Sequence, residues 1–191
     1  ISGGLACLLV AAIFAWMNGQ DAELAAKAPS PATDVAAPQV ATITGLGAVR
    51  WAEPSAGARL LSRCTVGDRL QFRDGAIELT FDAGAQVTVF GPADFTITSG
   101  TSINCRRGRV TTLVGERGKG FVVNTPQAKV VDLGTQFGLS ISDQGETEVV
   151  VFQGSVDMSS ASAKADAPAR RLYQGEALLL NNAGKFERVV S

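Results

Sequence analysis

Asp132, Gly134 and Thr135 stand in the stretch VVDLGTQFGLSI, Val130 to Ile141. A D-x-G-T turn between two strands helps hold Mg²⁺ and ATP in the superfamily of actin, sugar kinases and heat-shock ATPases. Those enzymes also need a second phosphate loop and an adenosine site on an α/β framework, because a short motif specifies chemistry only in its structural context. The chain has 191 residues and little helical patterning after its first segment. An aspartic-protease reading requires Asp-Thr-Gly or Asp-Ser-Gly and a second carboxylate to share the proton, and here Leu133 follows Asp132. The alternative is structural. Gly134 permits a kink or bulge, Asp132 accepts backbone N–H groups there, and Thr135, Phe137, Leu139 and Ile141 alternate along a strand.

Other reactive residues do not assemble into a nucleophile, a base and an orienting group. The chain has no histidine, which removes the commonest general base and metal ligand. GERGKG, Gly115 to Gly120, lacks the G-K-[ST] ending of a phosphate loop. Cys7, Cys64 and Cys105 show no C-x-x-C spacing, so a structural zinc site is not indicated. Cys64 and Cys105 fit either one disulfide of an exported domain or two buried small hydrophobes. We expect no catalytic residue, no metal and no cofactor.

Charge is equally uninformative about a ligand. There are 17 basic and 18 acidic residues, so no global field draws nucleic acid. The densest basic run, NCRRGR at Asn104–Arg109 with Arg117 and Lys119 nearby, is read as the solvated face of a hairpin. An acidic partner face or phospholipid head groups are the other options.

The elements around these residues are strands. Ile77, Leu79 and Phe81 alternate with Glu78 and Thr80, and Val87 and Val89 continue the pattern after DAGA. DFTIT, GRVTTLV, GFVVNT, TQFGLSI, GSVDM and GEALLL behave alike. The run Val149-Val150-Val151-Phe152 reads as a strand buried on both faces. Glycines at 67, 75, 84, 108, 154 and 175 each precede an aliphatic alternation, the signature of a turn followed by a strand. We expect an all-β domain of many short strands, solenoid-like or sandwich-like, whose last strands close against the first.

The first stretch differs. Ile1 to Met17 carries no charge and includes Trp16, a residue common at membrane interfaces. Residues 1–18 are read as a transmembrane helix cut short at its start, with a signal-peptide core or a buried helix as alternatives. Residues 19–42, rich in Ala and Pro, are read as a linker, and residues 43–191 as the folded domain.

Taken in order, these motifs resemble the FecR protein family. GPADF supplies Gly91 and Pro92, and GFVVNTP supplies Phe121, Thr125 and Pro126. DLGTQF supplies Asp132, Gly134, Thr135 and Phe137, VVVFQGSV supplies Gly154, and QGEALLL supplies Gly175 and Glu176. The resemblance spans roughly residues 43–182, and these residues are expected to define the fold. It implies a periplasmic sensor domain of a single-pass protein of the bacterial inner membrane, active in anti-sigma signalling across the envelope. Its partners would be a protein in the periplasm or outer membrane and a sigma factor bound through a cytoplasmic segment absent from this sequence. The alternative is an exported, non-catalytic binding module for glycan or envelope adhesion. Aromatic platforms would mark such a module, and beyond its Phe residues the folded region has only Trp51 and Tyr173.

Overall fold

The computed structural model describes residues 36–53, 58–163 and 168–189. The chain divides into two units, Ile1–Ala36 and Ala37–Ser191, and all the strands described lie in the second. The apolar segment 1–18, most of the 19–42 linker and Cys7 lie outside the described residues. Among the described residues, no helix is long and apolar enough to cross a membrane.

The domain is all-β. Its strands are β1 (Gln39–Trp51), β2 (Arg63–Thr65), β3 (Arg69–Phe81), β4 (Ala85–Ser99), β5 (Ser102–Val114), β6 (Val122–Asn124) and β7 (Ala128–Asp132). They continue with β8 (Gln136–Ile141), β9 (Thr147–Gln153), β10 (Ser155–Ser160), β11 (Arg170–Tyr173), β12 (Ala177–Leu180) and β13 (Phe186–Arg188). A 3-10 turn occupies Glu116–Gly118. The expected β1 start moves from Ile43 to Gln39, inside the stretch read as linker. Ala41 is fully buried there, and the alanine-rich composition gives too little apolar contrast to reveal it.

Four strands are long rather than short: β1, β3 and β5 have 13 residues each and β4 has 15. β3, β4 and β5 each carry an irregularity where the sequence reads as a break between strands. Register shifts fall between Phe72 and Ala76 in β3, and around Asp94 in β4. Pro92 has no N–H for the ladder, which explains the interruption in β4. Gly75 and Gly108 have φ of 96° and 131°, but they lie within β3 and β5 rather than in turns. At Gly108 a Cβ would come within 2.9 Å of Ala93 Cβ, so a side chain would push the two bent strands apart.

These strands belong to one branched 13-stranded sheet. One path runs β11-β10-β7-β6-β5-β4-β3-β1-β2, and from β5 a second path runs through β8, β9, β12 and β13. β5 is the branch because of its bend. Its first arm, Ser102 to Asn104, pairs in parallel with β6, while its second arm, Gly108 to Leu113, pairs antiparallel with β8. From there the chain alternates between the branches: β6 and β7, then β8 and β9, then β10 and β11, then β12 and β13. β1 and β2 lie at the far end from β11, and β13 pairs with β12, so no hydrogen-bonded ladder among the described strands closes the last against the first. The alternation of local sequence fixes which face is apolar; it carries no record of which distant strand is the neighbour.

Both branches feed one apolar core. Val123, Val130, Val156, Met158 and Leu172 come from the first, and Val110, Phe137, Leu139, Val149, Val151 and Leu180 from the second. Phe81 and Phe121 meet edge-on with centroids 4.9 Å apart, a contact of about 0.5–1.5 kcal/mol beyond the area it buries. The Val149–Phe152 run departs from expectation. Val149 and Val151 are buried, but Val150 is only partly so and Phe152 is 50% exposed. The strand therefore has one core face and one outer face, and the outer face carries Val150 and Phe152.

Candidate functional site

Asp132 ends β7, and Thr135 precedes β8, so Leu133–Thr135 is the crossing from one branch of the sheet to the other. Gly134 turns the chain with φ of 100°, a conformation that side-chain-bearing residues rarely adopt. Asp132 is fully buried. Its carboxylate accepts the backbone N–H of Gly134, the N–H of Thr135 at 3.1 Å and the Thr135 hydroxyl. Burial raises the Asp132 pKa above the ordinary carboxyl value, opposed by the bonds from the Thr135 hydroxyl and from the N–H groups of Gly134 and Thr135. Three donors into one carboxylate are what a buried acid requires.

A phosphate cradle needs N–H groups free to point at the ligand. Here the N–H groups of Gly134 and Thr135 are taken by Asp132, and that of Leu133 reaches Ser155 O at 3.3 Å. The space is occupied as well. A Cβ on Gly134 would meet Lys119 Cε at 2.5 Å, and one on Gly154 would meet Gly134 O and Thr135 Cγ2, both at 2.7 Å. Phe121 closes the remaining side: its carbonyl accepts Asp132 N–H at 2.9 Å, and Asp132 O accepts Gly120 N–H at 2.9 Å. The corner thus brings together Phe121, Asp132, Gly134, Thr135 and Gly154, with Phe137 entering the core one residue into β8. The sequence does not mark Lys119 as part of it.

The other motif residues lie elsewhere. Thr125 and Pro126 follow β6, where Thr125 and Thr147 share a buried hydroxyl bond of 2.7 Å that ties the two branches together. Pro126 packs beside Gly145. Gly91 and Pro92 sit at the bend of β4, and a Cβ on Gly91 would be 3.0 Å from Asp74 Cα and from the Phe72 ring. Gly175 and Glu176 form the β11–β12 crossing. Gly175 N–H donates to Val151 O at 2.9 Å, and the Glu176 carboxylate accepts Tyr173 N–H at 2.9 Å and binds Arg188 at 3.2 Å. Asp132, Gly154 and Gly175 each mark a passage between branches. The motif order is a topology written in turns.

The basic run is largely neutralised by its surroundings. Asp94 receives both Arg69, in a bidentate pair at 2.7 and 2.8 Å, and Arg106 at 3.8 Å, and the Arg69 pairing holds the Asp94 pKa below the usual carboxyl range. Arg107 meets Asp143 at 3.2 Å, and Lys119 meets Glu116 at 2.8 Å. Cys64 and Cys105 are free and buried. Burial pushes the thiols up to about 11 and about 12 respectively, leaving neither as a ready thiolate nucleophile. No group of three or more His, Cys, Asp or Glu among the described residues could hold a metal ion.

Residues 66–157 match the model of the FecR protein family. The chain carries a FecR domain. The match spans every motif residue from Gly91 to Gly154; Gly175 and Glu176 lie beyond it. No curated protein matches the sequence. Two crystal structures from Parabacteroides distasonis, both provisionally described as anti-sigma factors, are similar to this chain. The first is 22% identical, covers 63% of this chain and 58% of its own, and superposes with a TM-score of 0.53. The second is 19% identical, covers 78% and 58%, and has a TM-score of 0.41. This chain therefore corresponds to somewhat over half the length of those proteins, and the first likeness is one of fold. The Asp132 corner lies within the matched residues.

Proposed function

We propose that this chain is the sensing part of a single-pass regulator of a sigma factor. Residues 1–18 anchor it in the bacterial inner membrane, the FecR domain lies in the periplasm, and the sigma factor is held on the cytoplasmic side. The observation that carries this reading is the FecR match over residues 66–157. The provisional description of the similar structures as anti-sigma factors is consistent with it. The saturated Asp132 corner supports action by protein contact rather than by chemistry, because its donors and acceptor are already spent on each other.

The shared core and the Thr125–Thr147 bond support a sandwich-like stacking of the two branches. In that arrangement the free edges of β11 and β13 end the two branches at one opening. Arg170 and Arg171 on β11, with Arg188 on β13, line a cavity of about 350 Å³ there. A periplasmic or outer-membrane partner engages this end by adding a strand to an open edge, a mode in which backbone hydrogen bonds supply affinity. The glycan-binding alternative has less support: Trp51 is half-buried and packs edge-on against Phe72 with centroids 6.2 Å apart.

Deleting residues 37–191 from the protein in its native cell, and following transcription from the sigma-dependent promoter, tests this reading. The expected outcome is output that no longer follows the inducing signal. Output and induction identical to the intact protein would contradict it.

A further inference from the structure

The outer face of the β4-β5-β8-β9-β12 sheet section carries an unusual row. Ladder pairing places Phe90 beside Arg109, Arg109 beside Ser140, Ser140 beside Glu148, and Glu148 beside Leu179. Arg109 and Glu148 are two strands apart, about 10 Å at ordinary strand spacing, with only the small Ser140 between them. Neither takes part in any ion pair among the described residues; Arg109 only stacks over the Phe90 ring at 6.0 Å. Elsewhere on this surface Arg63, Arg69, Arg107 and Arg171 all have carboxylate partners.

Apolar side chains surround this unpaired couple. Phe90, Leu113 and Phe152 are 37%, 48% and 50% exposed, and all three lie on this face. The middle strand β8 presents only Gln136, Gly138 and Ser140 outward. That leaves a groove of about 310 Å³ between the aromatic rims. Phe152 leans over Gly138, within 3.2–3.3 Å of where a Cβ would sit.

We infer that this face pairs with the same face of a second copy of the chain. The row reads apolar, positive, small, negative, apolar, so reversing its order exchanges the signs of the charges and leaves the ends apolar. A two-fold axis parallel to the strands and lying over β8 performs that reversal. It sets β8 over itself, β5 over β9 of the other copy and β4 over β12. Arg109 of each copy then faces Glu148 of the other, Phe90 faces Leu179, and the two Phe152 rings meet beside the axis over the glycine groove. Isologous interfaces require such self-complementarity. A strongly acidic or basic partner would leave one member of the Arg109–Glu148 couple opposed by like charge, which is why the second copy fits best.

Sedimentation velocity on the full 191-residue chain over a concentration series tests the inference, with far-UV circular dichroism confirming that each variant folds. The wild type should show concentration-dependent dimerisation. Arg109→Glu and Glu148→Arg should each weaken it by at least about tenfold. The double exchange, R109E with E148R, should restore it to within about threefold of wild type, because the row is then merely inverted. A wild type that stays monomeric throughout, single variants that dimerise unchanged, or a double variant no better than the singles would each overturn the proposal.

Discussion

The Asp132 corner and the outer face over β8 both hold charged groups, and they handle them in opposite ways. At the corner a fully buried carboxylate has its donors supplied within three residues, and the neighbouring glycines let backbone and side chains close around it. On the outer face Arg109 and Glu148 sit on one row, and neither forms an ion pair among the described residues. A group whose bonds are all made internally holds a fold, while a group left unmatched beside exposed apolar surface is available to something else. The motif that resembles chemistry is the satisfied one. The unmotivated surface residues are the ones with interactions left to make.

Substitutions can break this contrast, beginning where the effect should be largest. Gly154→Ala places a methyl group 2.7 Å from Gly134 O and from Thr135 Cγ2, at a φ of 81°. A loss on the order of 3 kcal/mol in urea unfolding is expected; a change under about 0.5 kcal/mol would mean the corner is loosely packed. Asp132→Ala leaves three donors without their acceptor, and about 2 kcal/mol should be lost in the same assay.

A gain is expected one strand away. Thr112 is fully buried on β5, on the opposite face from Thr111, and its hydroxyl has no hydrogen-bond partner. Thr112→Val keeps the shape and removes the orphaned group, so stability should rise by about 1 kcal/mol; a loss would indicate that the hydroxyl is satisfied in solution.

The pH response separates Asp132 from the surface acids. Its pKa is raised in the folded state above the ordinary 3.8, so the folded protein holds the proton more tightly than the unfolded chain. The stabilisation from this group is fully present below pH 3.8 and is lost as pH rises through the folded pKa. Asp94 and Asp157 are lowered by their bonds to Arg69 and Arg171; their contribution is present above that value and lost as pH falls through the folded pKa. Asp132→Asn should remove a component that decreases with rising pH, leaving the acid-side loss intact. Urea midpoints measured across the carboxyl range would check this, and an unchanged pH profile would contradict it. The smallest effect belongs to the outer face. Arg109→Ala should leave the urea-unfolding free energy of dilute protein unchanged within about 0.5 kcal/mol, although it removes a charge as surely as Asp132→Ala does.

Much of this architecture is readable from local pattern. The period-two alternation of Ile77, Leu79 and Phe81, or of Phe137, Leu139 and Ile141, assigns core faces correctly because burial acts on each side chain where it stands. Gly67, Gly84, Gly154 and Gly175 lie at turns or crossings with positive φ, whereas Gly75 and Gly108, equally positive, are bends inside long strands. A glycine records the need for an unusual backbone angle but not whether pairing resumes beyond it. Branching at β5 and the separation of the first and last strands depend on contacts between residues far apart in sequence, which alternation does not encode. The outer-face row was hidden for the same reason: Arg109 and Glu148 become neighbours only through the intervening Ser140 on β8. In Val149–Phe152 the unbroken apolar run concealed one buried and one exposed face.

Asp132, Gly134 and Thr135 form a saturated structural corner rather than half of a nucleotide site. Calorimetric titration of Mg²⁺·ATP into the wild-type chain and into a folded Asp132→Asn variant tests it most directly. Neither protein should give a saturable binding signal. Saturable binding by the wild type that disappears in Asp132→Asn would contradict the account.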